Sequence, residues 1–196
     1  MSRVLEALIA RGRRVRKPKE QREVAFGLAD LSTHPEIHVN MVRKGTVKTL
    51  MHILETSGDA DAQRFAALAL GNVAATTENR IPIAEEGVIK PLVDHMVNPA
   101  KDINGRMFAA LVLGNLASEQ ETHDEMVKAG CISACLELMR SEMDMPGRYA
   151  SLVLANLASN PEHRVQVVEE GAIGPLVGVA CCEILDAQRA ALSALR

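Results

Sequence analysis

Aromatic side chains are nearly missing from this chain: 2% of 196 residues, with no tryptophan, one tyrosine and three phenylalanines. Strands favour aromatic and β-branched residues, so the shortage disfavours an all-β fold. No apolar run reaches the ~18 residues of a membrane-spanning helix. The N-terminus is apolar first and basic second, the reverse of a secretory signal, and Ser2 stands where N-myristoylation requires glycine. Excess positive charge is lacking too. The formal net charge is −3, which points away from nucleic acid as a partner. Only four cysteines occur, Cys131, Cys135, Cys181 and Cys182. They read as reduced, mostly buried thiols in a reducing, intracellular compartment.

What the chain does have is internal repetition. Asn72 to Val93 reads NVAATTENRIPIAEEGVIKPLV, and Asn156 to Val177 reads NLASNPEHRVQVVEEGAIGPLV. Weaker copies run from Asp30 and from Asn115. One glycine recurs at Gly45, Gly87, Gly130 and Gly171, at intervals of 42, 43 and 41 residues. A polar landmark recurs at Asp30, Asn72, Asn115 and Asn156 with the same intervals, always 15 residues before the next glycine. A fixed period of this length marks a stacked solenoid. A solenoid is usually a binding surface rather than an enzyme.

Each period reads as three helices. After each glycine, apolar residues fall at offsets 2, 5, 6 and 9, one face of a helix. They are Val47, Leu50, Met51, Leu54; Ile89, Leu92, Val93, Met96; Ile132, Cys135, Leu136, Met139; and Ile173, Leu176, Val177, Ala180. A shorter helix precedes each glycine, with apolar pairs Met41/Val42, Ile83/Ala84, Met126/Val127 and Val167/Val168. The glycine is the corner, where a left-handed backbone is easily adopted. Pro35 and Pro161 sit in the first turn of the short helix, which tolerates them. A third helix approaches each landmark, with apolar or small residues at −6, −5, −2 and +1, such as Ala66, Ala67, Leu70 and Val73. Pro18, Pro99 and Pro146 are expected in the loops before these third helices. The expectation is an all-α solenoid of three-helix repeats. It divides into a partial unit over 1–32, repeats over about 33–75, 76–118 and 119–159, and a last partial unit over 160–196.

The pattern ALALGNVA…ENRIPIAEEGVIKPLV resembles the armadillo repeat over essentially the whole chain. Its E-N-R-I and N-P-E-H-R segments are most similar to vacuolar-type and plant U-box-associated armadillo arrays. The resemblance implies a right-handed superhelical solenoid whose third helices line a concave groove and bind an extended peptide. The residues it assigns lie at −8, −4 and 0 from each landmark. They are Arg22, Phe26 and Asp30; Arg64, Leu68 and Asn72; Met107, Leu111 and Asn115; and Arg148, Leu152 and Asn156, with Arg189 continuing the line. Such positions share one helix face. A carboxamide both donates and accepts, so it can bind peptide backbone whatever the side chains are. Alternatively, these asparagines bond the neighbouring repeat, and the arginines form a solvated face with acids such as Asp61. Importin-alpha-like arrays carry tryptophan four residues before the asparagine. Leu68, Leu111 and Leu152 cannot form such aromatic slots, so a receptor for basic import signals is not expected. An arginine-flanked groove better suits an acidic or phosphorylated segment.

No phosphate loop, nucleophile elbow or catalytic carboxylate pair has its required context, and the expectation is a non-enzymatic scaffold or adaptor without cofactor. The alternative is the substrate-binding region of a larger assembly such as a U-box ubiquitin ligase. Six histidines are spread over the repeats, and no metal site is expected. The segment RGRRVRKPK (11–19) holds six cations in nine residues. In this register it joins a second helix to a third. It reads as a solvated loop, a nuclear localisation signal, a lipid-headgroup contact or an autoinhibitory element. The expected compartment is the cytoplasm, or the nucleus if that segment is a signal. Neither end carries a polar cap, as though the chain were a piece of a longer array. Faces made by Leu5, Leu8 and Ile9 and by Ala190, Ala191 and Leu195 are therefore expected to be exposed or to associate end to end.

Overall fold

The computed structural model describes residues 2–98, 100–140, 144–181, 189 and 192. Every regular element among them is helical. The helices are α1 (Ser2–Gly12), α2 (Pro18–Leu31), α3 (His38–Arg43), α4 (Thr46–Thr56), α5 (Ala60–Ala74), α6 (Thr77–Ala84) and α7 (Ile89–Val97). They continue as α8 (Ile103–Leu116), α9 (His123–Lys128), α10 (Cys131–Met139), α11 (Asp144–Ser159), α12 (Pro161–Glu169) and α13 (Ile173–Ala180). Short 3-10 turns, Pro35–Ile37 and Gln120–Thr122, lead into α3 and α9. No helix among the described residues is long and apolar enough to cross a membrane.

The corner glycines do what their spacing predicts. Gly45, Gly87, Gly130 and Gly171 have φ of 82°, 72°, 83° and 90°, and no other described residue has a positive φ. At Gly87 an added Cβ would meet nothing within 4 Å. Gly87→Ala therefore isolates the backbone cost, and the expected loss of stability is about 1–2 kcal/mol. Gly58→Ala is the control, since its site is also open and its φ is ordinary. Equal denaturation midpoints for the two variants would contradict this account.

One continuous core runs from Leu5 to Leu176. The third helices α2, α5, α8 and α11 pack side by side in sequence. Their small faces bring them together: Ala66, Ala67, Leu70 and Val73 are fully buried, as are Ala109, Ala110, Leu113 and Leu116, and Ala150, Ser151, Leu154 and Leu157. Helices α4, α7 and α10 back them through the predicted apolar faces.

Several expectations need correction. Pro18 opens α2 and Pro146 lies in the first turn of α11, where proline costs no hydrogen bond, rather than in the loops. Pro99 lies outside the described residues. Leu5 and Ile9 are not exposed: α1 turns them onto α2 of its own unit and α4 of the following repeat. Ala190, Ala191 and Leu195 lie outside the described residues. On α13, Leu176 is buried but Ile173 and Val177 are 49% and 46% exposed, so the fourth face is only half covered. Cys131 and Cys135 are buried, Cys181 is exposed, and Cys182 is not among the described residues. A hydrogen bond with Cys131, then burial, raises the Cys135 thiol pKa. A thiol kept protonated is a poor nucleophile.

Candidate functional site

The landmark residues end four adjacent third helices, and their neighbours are tied to one another across the repeat boundaries. Asn72 donates its Nδ2 to Ser32 Oγ at 2.9 Å. Asn115 donates to the Gly71 carbonyl at 3.1 Å. Asn156 donates to the Gly114 carbonyl at 3.1 Å and to Ser118 Oγ at 3.4 Å. Each amide thus reaches back one repeat. All three side chains remain half-buried, and their Oδ1 atoms take no hydrogen bond from the described residues. A carboxamide has two N–H groups and one acceptor oxygen. The interaction with the preceding repeat leaves the acceptor available. Asp30, the first landmark, is exposed.

The leucines four residues earlier also serve stacking. A methyl group on Gly71 would meet Leu111 Cδ2 at 3.0 Å, and one on Gly114 would meet Leu152 Cδ2 at 3.1 Å. Each leucine therefore rests on the glycine of the preceding third helix while keeping part of its surface exposed. Leu68 and Met107 are likewise half-buried.

The arginine series divides. Arg22 lies 3.5 Å from Asp59 Oδ2 and 3.6 Å from Asp61 Oδ2. Arg64 pairs with Asp61 at 2.8 Å. The alternative that these arginines meet local acids thus holds for the first two repeats. Such half-exposed pairs contribute little stability, yet they offset much of the positive charge. Arg64 also lies over the Phe65 ring and Arg148 over the Tyr149 ring, each 5.3 Å from the centroid. Arg189 is exposed.

Those rings are what the sequence reading missed. All four aromatic residues of the chain sit on third helices. Phe26 is at −4 from its landmark, and Phe65, Phe108 and Tyr149 are each at −7 from theirs. Phe26 is 56% exposed and meets Phe65 edge to face, with centroids 5.3 Å apart. The constant offset was the available signal, hidden by counting the aromatics as scarce instead of placing them.

A second ladder holds the short helices against the ends of the third helices. His38 Nε2 bonds the Ser32 carbonyl at 2.8 Å, Asn79 the Val73 carbonyl at 2.9 Å, His123 the Ala117 carbonyl at 2.8 Å and Arg164 the Ala158 carbonyl at 2.9 Å. Each donor lies six residues after its acceptor and satisfies a carbonyl at a helix end. Three of these ladder residues or their neighbours reach across repeats as well: His38 to Thr76 Oγ1 at 2.8 Å, Arg80 to Glu119 at 2.9 Å and His163 to Asp124 at 3.0 Å. The histidines His38, His123 and His163 are therefore structural parts. No group of three or more residues able to hold a metal occurs among the described residues.

The sequence profile described as armadillo-like matches residues 43–172, about two thirds of the chain. The chain belongs to the armadillo-like family. Among solved structures it is similar to an engineered protein at 28% identity, with a TM-score of 0.87 over 97% of this chain and 79% of that one. A second engineered protein is 29% identical, with a TM-score of 0.86 over 97% and 77%. A designed armadillo repeat protein in complex with the peptide (KR)4 shares the fold at 22% identity, with a TM-score of 0.85 over 97% and 80%. No curated protein matches the chain.

Proposed function

We propose that this armadillo-like chain is a non-enzymatic interaction scaffold. It holds an extended segment of a protein partner along the third-helix face, in the concave groove that the family resemblance implies. The observation that carries this reading is the row of half-buried asparagines, Asn72, Asn115 and Asn156, each with an unused Oδ1. Packed helices lie about 8–10 Å apart and an extended peptide rises about 3.3 Å per residue. The row therefore matches backbone N–H groups every two or three residues. The fold relative that holds (KR)4 supports peptide binding as a use of such an array.

An acidic or phosphorylated segment would enter by competing with Asp59 and Asp61 for Arg22 and Arg64, and a phosphate, with its higher charge, competes best. Phe26, exposed beside Phe65, offers an apolar anchor at the same end. Membership in a larger ubiquitin-ligase assembly would use the same face, so it is an alternative about context.

The test is hydrogen exchange on the chain with the tightest binder from an array of acidic, phosphorylated, basic and neutral decapeptides. Protection is expected along the C-terminal halves of α2, α5, α8 and α11, and the acidic and phosphorylated peptides are expected to bind best. Protection confined to α3, α6 and α9 would place the binding surface elsewhere and defeat the proposal.

A further inference from the structure

The basic segment has a structural setting that the peptide-binding reading does not use. Residues 13–17 form the corner between α1 and α2. A cavity of about 620 Å³ opens there, lined by Ala10, Arg11, Arg14, Val15, Arg16, Lys17 and Glu20. Val15 is buried and pins the corner, so the flanking cations are held on one wall.

Their charges are poorly compensated. Arg11 pairs with Glu23 at 2.8 Å and Lys17 with Glu20 at 3.8 Å. Arg16 donates to His52 Nε2 at 2.6 Å and to the Val15 carbonyl at 3.2 Å, neither of which is an anion. Arg14 has no hydrogen bond or ion pair from its side chain among the described residues. Six cations in nine residues repel one another, and setting them aside leaves the rest of the chain at −9. This corner therefore concentrates positive charge on a chain whose remainder is net acidic.

The register shows what is missing. Asp59 caps α5 by accepting from the Ala62 amide, and Asp102 caps α8 by accepting from the Asn104 and Gly105 amides. Both stand 13 residues before their landmark. The equivalent residue before α2 is Lys17, and α2 receives no side-chain cap. The Lys19 and Glu20 amides, which a cap would serve, face the end where the cations gather. A helix N-terminus favours an anion, and here the chain supplies cations in place of the carboxylate.

We propose that the α1–α2 corner binds a compact polyphosphate, as a lipid headgroup or a free ligand, among Arg11, Arg14, Arg16 and Lys17. The bound phosphates supply the missing cap of α2 and displace Glu20 from Lys17. Guanidinium forks suit phosphate oxygens in pairs. A long polyanion is disfavoured because the rest of the surface would repel it. This inference stands apart from the peptide-binding reading, since it concerns a different surface.

The experiment uses the full chain at physiological ionic strength. Tripolyphosphate is titrated calorimetrically, and cosedimentation is measured with phosphatidylcholine vesicles with or without 5 mol% phosphatidylinositol bisphosphate. Arg14→Ala/Arg16→Ala should weaken tripolyphosphate at least tenfold. Lys17→Asp should weaken it similarly while raising the melting temperature by roughly 2–4 °C, because it installs the cap found at Asp59 and Asp102. That gain keeps loss of binding distinct from loss of fold. Stronger retention on bisphosphate vesicles than on tripolyphosphate assigns the lipid source, and equal strength assigns the free ligand. Unchanged binding by Lys17→Asp, no saturable binding by the wild type, or tighter binding of a 20-base-pair DNA duplex would each overturn the proposal.

Discussion

Replacing Asn72, Asn115 and Asn156 together by alanine is expected to cost the fold about 2–4 kcal/mol before any partner is added. Each side chain donates to the preceding repeat, to Ser32 Oγ, the Gly71 carbonyl or the Gly114 carbonyl. A net intramolecular hydrogen bond contributes about 0.5–1.5 kcal/mol. The three bonds lie in successive interfaces of a one-dimensional array, where stability is close to a sum of neighbour terms. Partner affinity should fall as well, since the proposed acceptor atoms are lost with the amides. The two effects separate if binding is measured at low temperature, where the variant is still folded, and stability by urea denaturation without ligand. An unchanged urea midpoint would show that the inter-repeat bonds contribute nothing. A full loss of stability with unchanged affinity per folded molecule would show that the asparagines act only as struts.

A second large effect concerns acid. His95 is 6% exposed on α7, and its Nε2 finds no hydrogen-bond partner. That atom faces Gly105, where an added Cβ would sit 3.1 Å away. Burial first, then the charges of Lys101 and Arg106, lower its pKa from 6.5 to about 4. The native state therefore resists a proton that the unfolded chain accepts. Above pH 6.5 both states hold a neutral ring and this term is fully present. As the pH falls from 6.5 towards 4, the unfolded state gains a proton that the native state lacks, and stability drops. The difference in pKa corresponds to about 3 kcal/mol at its full extent. Replacing His95 by Gln keeps a polar group of similar size and removes the titration. Urea midpoints taken from pH 7.5 down to pH 4 should fall more steeply for the wild type than for the variant. Parallel curves would mean that His95 protonates without penalty.

The sites of these two predictions were unequally legible. The asparagines stood out because they keep step with the corner glycines. Their use as donors to the preceding repeat was one of two readings, and the partners lie 38 to 44 residues away. His95 gave no signal, since its burial depends on Gly105 and on the charges that α8 and the preceding loop bring to it. Likewise, Asp61 stood out as a neighbour of Arg64, but its place beside Arg22 depends on how α2 and α5 pack.

The sequence alone determined the period, the four left-handed corners and the buried face of almost every helix. These are local properties: a glycine adopts positive φ without a Cβ clash, and a helix presents one face every three to four residues. The tertiary structure decided which atoms meet across the repeat boundary, which arginines share a carboxylate, and that α1 buries Leu5 and Ile9 against α2 and the following repeat's α4. It also left Ile173 and Val177 half exposed on a face whose pattern matches the buried ones. Hydrogen bonds and ion pairs depend on distances of a few ångströms between residues about 40 positions apart, and only the stacking of the helices sets those distances.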